Sequence, residues 1–261
     1  MIGVVTGTGT YALPALEEGE PVEVTTRWGA TTVTRGRLAG IDVAHVSRHG
    51  AGHVRLSNHI EHRANVAALR DLGALAVVGC TACGIVDPSL SPGSLVVFDD
   101  LHFPVNRLPD GSLCTLYDQP GEPGRGHWIY DRPYTPELRE ALLTGAKAAG
   151  PPVRDGGVYG HVDGPRFNTV TEIRQLADAG VTAVSQTAGA ETVLFGEAEI
   201  PYALIGFTTD YANGVAEPTP IEVLVKLMGA TTATFATVLG EALPRIDLAA
   251  LAPTGTLYRF D

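Results

Sequence analysis

The sequence predicts a single α/β domain built on a largely parallel or mixed sheet covered by helices. Three observations carry that expectation. The 261 residues suffice for one large domain with a substantial core, and no linker-like stretch or internal repeat divides them. Short apolar runs alternate with helical patterns through the second half, the pattern of a sheet with crossover helices. The composition, 44% hydrophobic and 18% charged, is that of an ordinary globular chain.

The elements follow in order. Residues 2–6 read as a short buried strand ended by glycines. Residues 22–48 alternate short β-branched runs with turn residues and read as hairpins. From Asn58 to Leu72 the pattern turns helical, with Ile60, Ala64, Ala67 and Ala68 on one face. Strands are expected at 74–80 and 93–103, followed by a long irregular excursion over 104–134 rich in proline and glycine. "TPELREALLTGAKAAG" is a helix with Thr135 as N-cap, Pro136 in its first turn and Gly150 as its stop. Strands at 156–162, 182–186 and 201–209 then alternate with helices at 169–179, 189–198 and 219–243.

The formal net charge of −11 argues against non-specific nucleic-acid binding, which needs a basic footprint. No apolar run is expected to approach the ~20 residues of a spanning helix, and "MIGVVTG" lacks the features of a signal peptide. Three cysteines do not make a secreted disulfide scaffold. The expectation is a soluble cytoplasmic protein with neither membrane nor nucleic-acid partner.

"GTGTYA" at 7–12 fits the loose dinucleotide fingerprint. That fingerprint also demands a helix, a second parallel strand and an acid about 20 residues on. Here "YALPAL", broken by Pro14, leads straight into hairpins, and Glu23 stands in no βαβ unit. The loop reads better as a cradle for a single phosphate, its N–H groups joined by the hydroxyls of Thr8 and Thr10. A purely structural turn is the alternative. "SRHG" (47–50) adds an Arg fork and a His. "CTACG" (80–84) and "SQTAG" (185–189) add small-residue loops at strand ends, where α/β sheets bind ligands. "CTAC" matches C-x-x-C, but no second ligand pair accompanies it; buried thiols are expected, with no metal.

Taken together, these blocks resemble the trimeric nucleoside phosphorylases (the purine nucleoside, methylthioadenosine and methylthioinosine phosphorylases). The matching stretches are "GTGT", 47–69, 80–100, 126–139, 156–167, 171–187 and "FTTDYANG" at 207–214, in family order over nearly the whole chain. The resemblance implies one domain over 1–261, a mixed central sheet with a distorted barrel surrounded by helices, and a homotrimer. It implies cleavage of an N-ribosidic bond by inorganic phosphate, a co-substrate, with no cofactor. Phosphate binding falls to Thr8, Arg48, His49, Thr81, the backbone of Ala82, and Thr187. The base meets Phe167, Asn168 and Asp210, with Asp210 as the general acid at the purine N7. The ribose rests on Gln186. The 5′ substituent faces Pro220, Val223 and Leu224, with His127 lent by a neighbouring subunit.

The chain departs from the family pattern at four places. Gln186 stands where the family has Met, "GAE" (189–191) where it has "VPE" or "YPE", Asp163 where it has Glu or Gln, and Ala212 where adenine-selective members carry a second acid. Asp210, rather than the Asn of 6-oxopurine members, points to 6-aminopurines such as 5′-methylthioadenosine or adenosine. The alternatives are a 6-oxopurine phosphorylase and a catalytically weak nucleoside-binding homologue.

Overall fold

The computed structural model describes residues 1–260. Its strands are β1 (Ile2–Thr6), β2 (Glu17–Thr26), β3 (Gly29–Leu38), β4 (Ile41–Ser47), β5 (Ala76–Ile85), β6 (Leu95–Val97), β7 (Asp100–His102), β8 (Gly126–Ile129), β9 (Val153–Asp155), β10 (Val158–His161), β11 (Val181–Ser185), β12 (Tyr202–Tyr211) and β13 (Thr256–Arg259). Its helices are α1 (His62–Asp71), α2 (Pro136–Ala149), α3 (Val170–Asp178), α4 (Ala188–Glu197) and α5 (Ile221–Ala242).

Eleven strands join one mixed sheet, eight of them in the order β2-β3-β4-β1-β5-β11-β10-β7 and three, β12, β6 and β9, on a branch. The sheet branches at β5. The first half of β5 lies between parallel β1 and β12, and its end pairs antiparallel with β11 through Gly84 and Ile85. β12 pairs onward with β6, and β6 with β9. β5, β12, β6, β7, β10 and β11 thus form a ring in which the chain itself bridges β6 and β7, a distorted barrel.

β1 and β5 are buried on both faces, which is why "IGVV" and "AVVGC" read as continuous apolar runs rather than alternating ones. Against one side of the sheet pack α2 and α5, which approach closely because Gly145 lies on the Val238 carbonyl and leaves no room for a Cβ. Thr169 caps α3 in a full capping box with Glu172. Gly150 ends α2 in the left-handed conformation, φ 95°.

Several boundaries differ from the sequence reading. The helix expected from Asn58 begins at His62, because Ser57–His59 form a separate short 3-10 turn. The strand expected over 93–103 breaks into β6 and β7 where the Asp99 carboxylate accepts from Gly157 N. The irregular stretch 104–134 contains β8, which pairs with β13 at the far end of the chain; local pattern cannot show so distant a partner. One correction concerns hydropathy. Ile221–Arg245 spans 25 residues at mean hydropathy 1.5, long and apolar enough by length and composition to cross a membrane. In the fold, Phe235, Val238, Leu239 and Ala242 of this segment are buried in the core.

Candidate active site

A cavity of about 410 Å³ opens at the carboxyl ends of β1, β5, β11 and β12, where α/β sheets bind ligands. Ten of the expected residues line it: Thr8, His49, Thr81, Ala82, Thr187, Phe167, Asn168, Gln186, Asp210 and Leu224. The glycine loop that follows β1 leads into turns and then the β2–β3 hairpin, with no helix between, so the dinucleotide reading fails on topology. Gly9 adopts φ 82°, and its carbonyl accepts from Thr232 of α5.

Hydrogen bonds sort the lining into two groups. In the first, Thr8 Oγ1 lies 3.4 Å from His49 Nε2, and Thr81 Oγ1 donates to Ser185 Oγ at 3.3 Å. His49 Nδ1 lies 2.8 Å from the Arg55 carbonyl, which can only accept, so Nδ1 carries the hydrogen and Nε2 is the bare nitrogen. Burial brings the His49 imidazole down to about 4, with the Arg55 carbonyl opposing and the charges of His53 and Arg48 assisting. The cradle is therefore a set of hydroxyls and one neutral ring.

Thr187 stands at the head of α4. The first N–H groups of that helix are already partnered within the protein: Ala188 N donates to the Tyr159 hydroxyl at 3.1 Å and Gly189 N to His161 Nδ1 at 3.1 Å. This explains one departure from the family pattern. A Cβ at position 189 would run into His161, so Gly stands here where the family has Val or Tyr.

Arg48 differs from its expected role. It is wholly buried and does not line the cavity. Its Nε and Nη2 grip the Glu191 carboxylate, Nη2 at 2.7 Å, and Nη1 donates to the Cys80 carbonyl at 2.6 Å. The Tyr202 hydroxyl donates to the same carboxylate at 3.1 Å. Burial works against the Arg48 charge, and Glu191 outweighs it and holds the guanidinium charged. Arg48 reaches the cradle only from behind, where a Cβ on Gly7 would lie 3.0 Å from Nη1.

The second group surrounds Asp210. The β12 strand carries it to the cavity, where Thr209 Oγ1 donates to Oδ1 at 2.6 Å. Burial pushes its carboxyl above the usual carboxylate range, and the Thr209 bond opposes only in part. Asn213 Nδ2 donates to the Asn168 carbonyl at 2.7 Å. Ala212, buried beside them, supplies no second acid. Phe167 is 77% exposed at the mouth and presents an aromatic face to the cavity.

Three expected pocket residues lie elsewhere. Pro220 and Val223 are at the exposed start of α5 and do not line the cavity. His127, on β8, lines a separate cavity of about 580 Å³ with Phe103, Trp128 and Glu197. Asp163 is exposed and lines neither. Sequence reasoning missed His53, which stacks on His49 with centroids 4.0 Å apart, and Ser57, Ser185, Asn213 and Met228, all in the lining. His53 follows "RHG" at the spacing of "RHG-x-x-H", and that was the available signal.

The cavity at the strand ends of the mixed sheet thus has one side lined by threonine hydroxyls and a neutral imidazole and the other by a proton-retaining carboxyl beside an aromatic face. Residues 1–244 match the Phosphorylase superfamily, and the chain belongs to it, among the nucleoside phosphorylase pentosyltransferases. It is 35% identical over 220 residues to the 6-oxopurine nucleoside phosphorylase of Pyrococcus furiosus, covering 82% of this chain and 81% of that one. It is 38% identical over 218 residues to the S-methyl-5′-thioadenosine phosphorylase of Mycobacterium tuberculosis, covering 83% and 77%. The methylthioadenosine phosphorylase of Schistosoma mansoni in complex with adenine superposes with a TM-score of 0.85 at 24% identity over 95% of this chain and 93% of that one, a likeness of fold.

Proposed function

We propose that this protein cleaves purine nucleosides with inorganic phosphate, releasing the free purine and ribose 1-phosphate, and that it favours 6-aminopurines such as 5′-methylthioadenosine or adenosine. One observation carries the reading: a single cavity holds both the Thr8–His49–Thr81–Thr187 cradle and Asp210, whose carboxyl burial keeps protonated to higher pH than usual.

The chemistry follows from that pairing. A purine leaves poorly until N7 is protonated or strongly hydrogen-bonded. Asp210 gives its proton to N7, and the electron pair of the breaking N9–C1′ bond passes into the purine. The ribose becomes cationic at C1′. A phosphate dianion held beneath it stabilises that charge, and one of its oxygens then forms the new bond to C1′. The Arg48–Glu191 pair stiffens the wall behind the cradle and does no covalent chemistry. The active form is a closed homotrimer in which a second copy lends His127 to the 5′ end of the cavity.

A 6-oxopurine preference is the second reading, favoured by Ala212, which removes the second acid beside the base. Base release from adenosine, methylthioadenosine, inosine, methylthioinosine and guanosine, each with and without phosphate, separates the readings. Phosphate-independent turnover sinks the phosphorylase reading. Binding without turnover of any of the five marks a nucleoside-binding homologue.

A further inference from the structure

A polar strap crosses the active-site cavity, and no step of the reaction above uses it. Ser57 Oγ donates to Gln186 Oε1 at 2.8 Å, and Gln186 Nε2 donates to the Arg166 carbonyl at 3.0 Å. Each end of the amide thus holds one partner, which fixes its orientation in the cavity wall. The backbone of Gly164 lies directly against the strap: a Cβ there would collide with Gln186 Oε1 and with Ser57 Oγ.

The three partners belong to three different segments. Gln186 sits between Ser185 and Thr187, both in the cavity wall at the cradle. Arg166 precedes Phe167, and its guanidinium is fixed by two bonds to Glu172, at 2.9 and 2.7 Å, so this loop is anchored to the head of α3. Ser57 closes a segment tied to His49 twice, since His49 Nδ1 donates to the Arg55 carbonyl and Arg55 N donates to the His49 carbonyl at 3.0 Å. One amide therefore joins the segment that carries His49 to the loop that carries Phe167.

We infer that Gln186 is a latch coupling the two halves of the site: an anion settled on the threonine hydroxyls of the cradle, against His49 and Thr187, fixes the Ser57 turn and the Gln186 amide, and these hold the Phe167 loop over the nucleoside. This rests on the reading of the cavity as a site for nucleoside and phosphate. Gln186 is a positioning residue, acting through Phe167 and His49. Coupling of this kind is reciprocal, so each ligand tightens the other by the same factor.

Calorimetric titration of the full-length protein tests it, with 5′-methylthioadenosine (or inosine, where that alone binds) in the presence and absence of sulfate, an unreactive stand-in for phosphate. In the unmodified protein and in Ser57→Thr, which keeps the donor, sulfate should tighten nucleoside binding about 5-fold or more. In Ser57→Ala and Gln186→Leu the effect should shrink to less than about 2-fold, while the affinity for sulfate alone changes by less than about 2-fold. If Gln186→Leu does not fold, Ser57→Ala, which deletes one hydroxyl, carries the test. An undiminished sulfate effect in Ser57→Ala overturns the latch even if nucleoside binds more weakly, because that pattern marks general loosening. Absence of any sulfate effect in the unmodified protein overturns it as well. If the unmodified protein binds neither ligand, the site reading itself has failed, and the latch with it.

Discussion

At Asp210 a half-buried carboxyl faces the cavity and accepts from Thr209 Oγ1, its one hydrogen-bond donor among the described residues. Its folded pKa lies above the ordinary 3.8 because burial disfavours the charge. The acid form therefore persists to higher pH than in a free carboxyl, and activity that needs the proton should fall as pH rises through the raised value. Asp210→Asn should abolish that limb of the pH–rate profile. It should also move the ratio of kcat/KM from 6-amino toward 6-oxo substrates about 10–100-fold, the usual cost of mismatching a buried polar group. Adenine offers N7 as acceptor and an amine as donor, which a protonated carboxyl matches; hypoxanthine offers two acceptors, which an amide matches. If the unmodified protein prefers inosine over every 6-aminopurine nucleoside, this role for Asp210 is wrong. The position of Asp210 was legible in the sequence, since it ends an apolar strand. The engagement of Gln186 was not, because Ser57 and Arg166, its partners, lie far from it in the chain.

Among the elements, β4 and α4 meet through a buried ion pair: Arg48 follows the end of β4, and Glu191 stands in the first turn of α4. Separated by 143 residues, the two could not be paired by pattern, and so Arg48 read as a phosphate ligand while Glu191 read as part of an odd "GAE". Removing one member leaves the other charge buried and uncompensated, which costs about 3–5 kcal/mol. Arg48→Met and Glu191→Leu should each lower the unfolding free energy by that amount. Arg48→Met combined with Glu191→Leu should recover much of it, so that the cycle shows strong non-additivity. Denaturant melts of the three variants check this; additive losses would mean that the pair is not the unit. The same separation explains β8, whose partner β13 lies over a hundred residues away, whereas α2 and α3 were legible in place because their end signals, Pro136 and Gly150 for α2 and Thr169 for α3, are local; Thr135 holds the N-cap position of α2, but its hydroxyl accepts from Tyr202 N rather than capping the helix.

For the whole molecule, the behaviour in acid follows from three histidines sealed into the interior. Burial, with Arg48 beside them, brings His45 to about 4 and His62 to about 3; burial, with His62 next to it, brings His161 to about 3. All three lie below the ordinary 6.5, so the unfolded chain takes up these protons first. Stability is fully present above about pH 6.5 and declines as pH falls toward the folded values, by up to about 4 kcal/mol per pH unit for three protons. Denaturant midpoints measured from pH 7 to 4.5 should fall steeply, and a flat profile would place these rings in water. Assembly is the other property of the molecule as a whole. His127 lies on the β8–β13 ribbon, outside its own chain's active-site cavity, and exposed Ile129, Tyr258 and Phe260 flank it. The start of α5, with Ile221, Val223 and Val225 exposed, is a second apolar surface beside the active site. In the proposed homotrimer these two different patches would meet in a heterologous contact, which closes into a ring when the rotation allows. His127→Ala should then raise KM for 5′-substituted nucleosides several-fold without altering phosphate KM. Co-expression of His127→Ala with Asp210→Ala should yield mixed assemblies in which some sites hold both Asp210 and a neighbour's His127, and a fraction of sites should regain the unmodified KM for 5′-substituted nucleosides. Light scattering that finds a fully active monomer refutes the shared site.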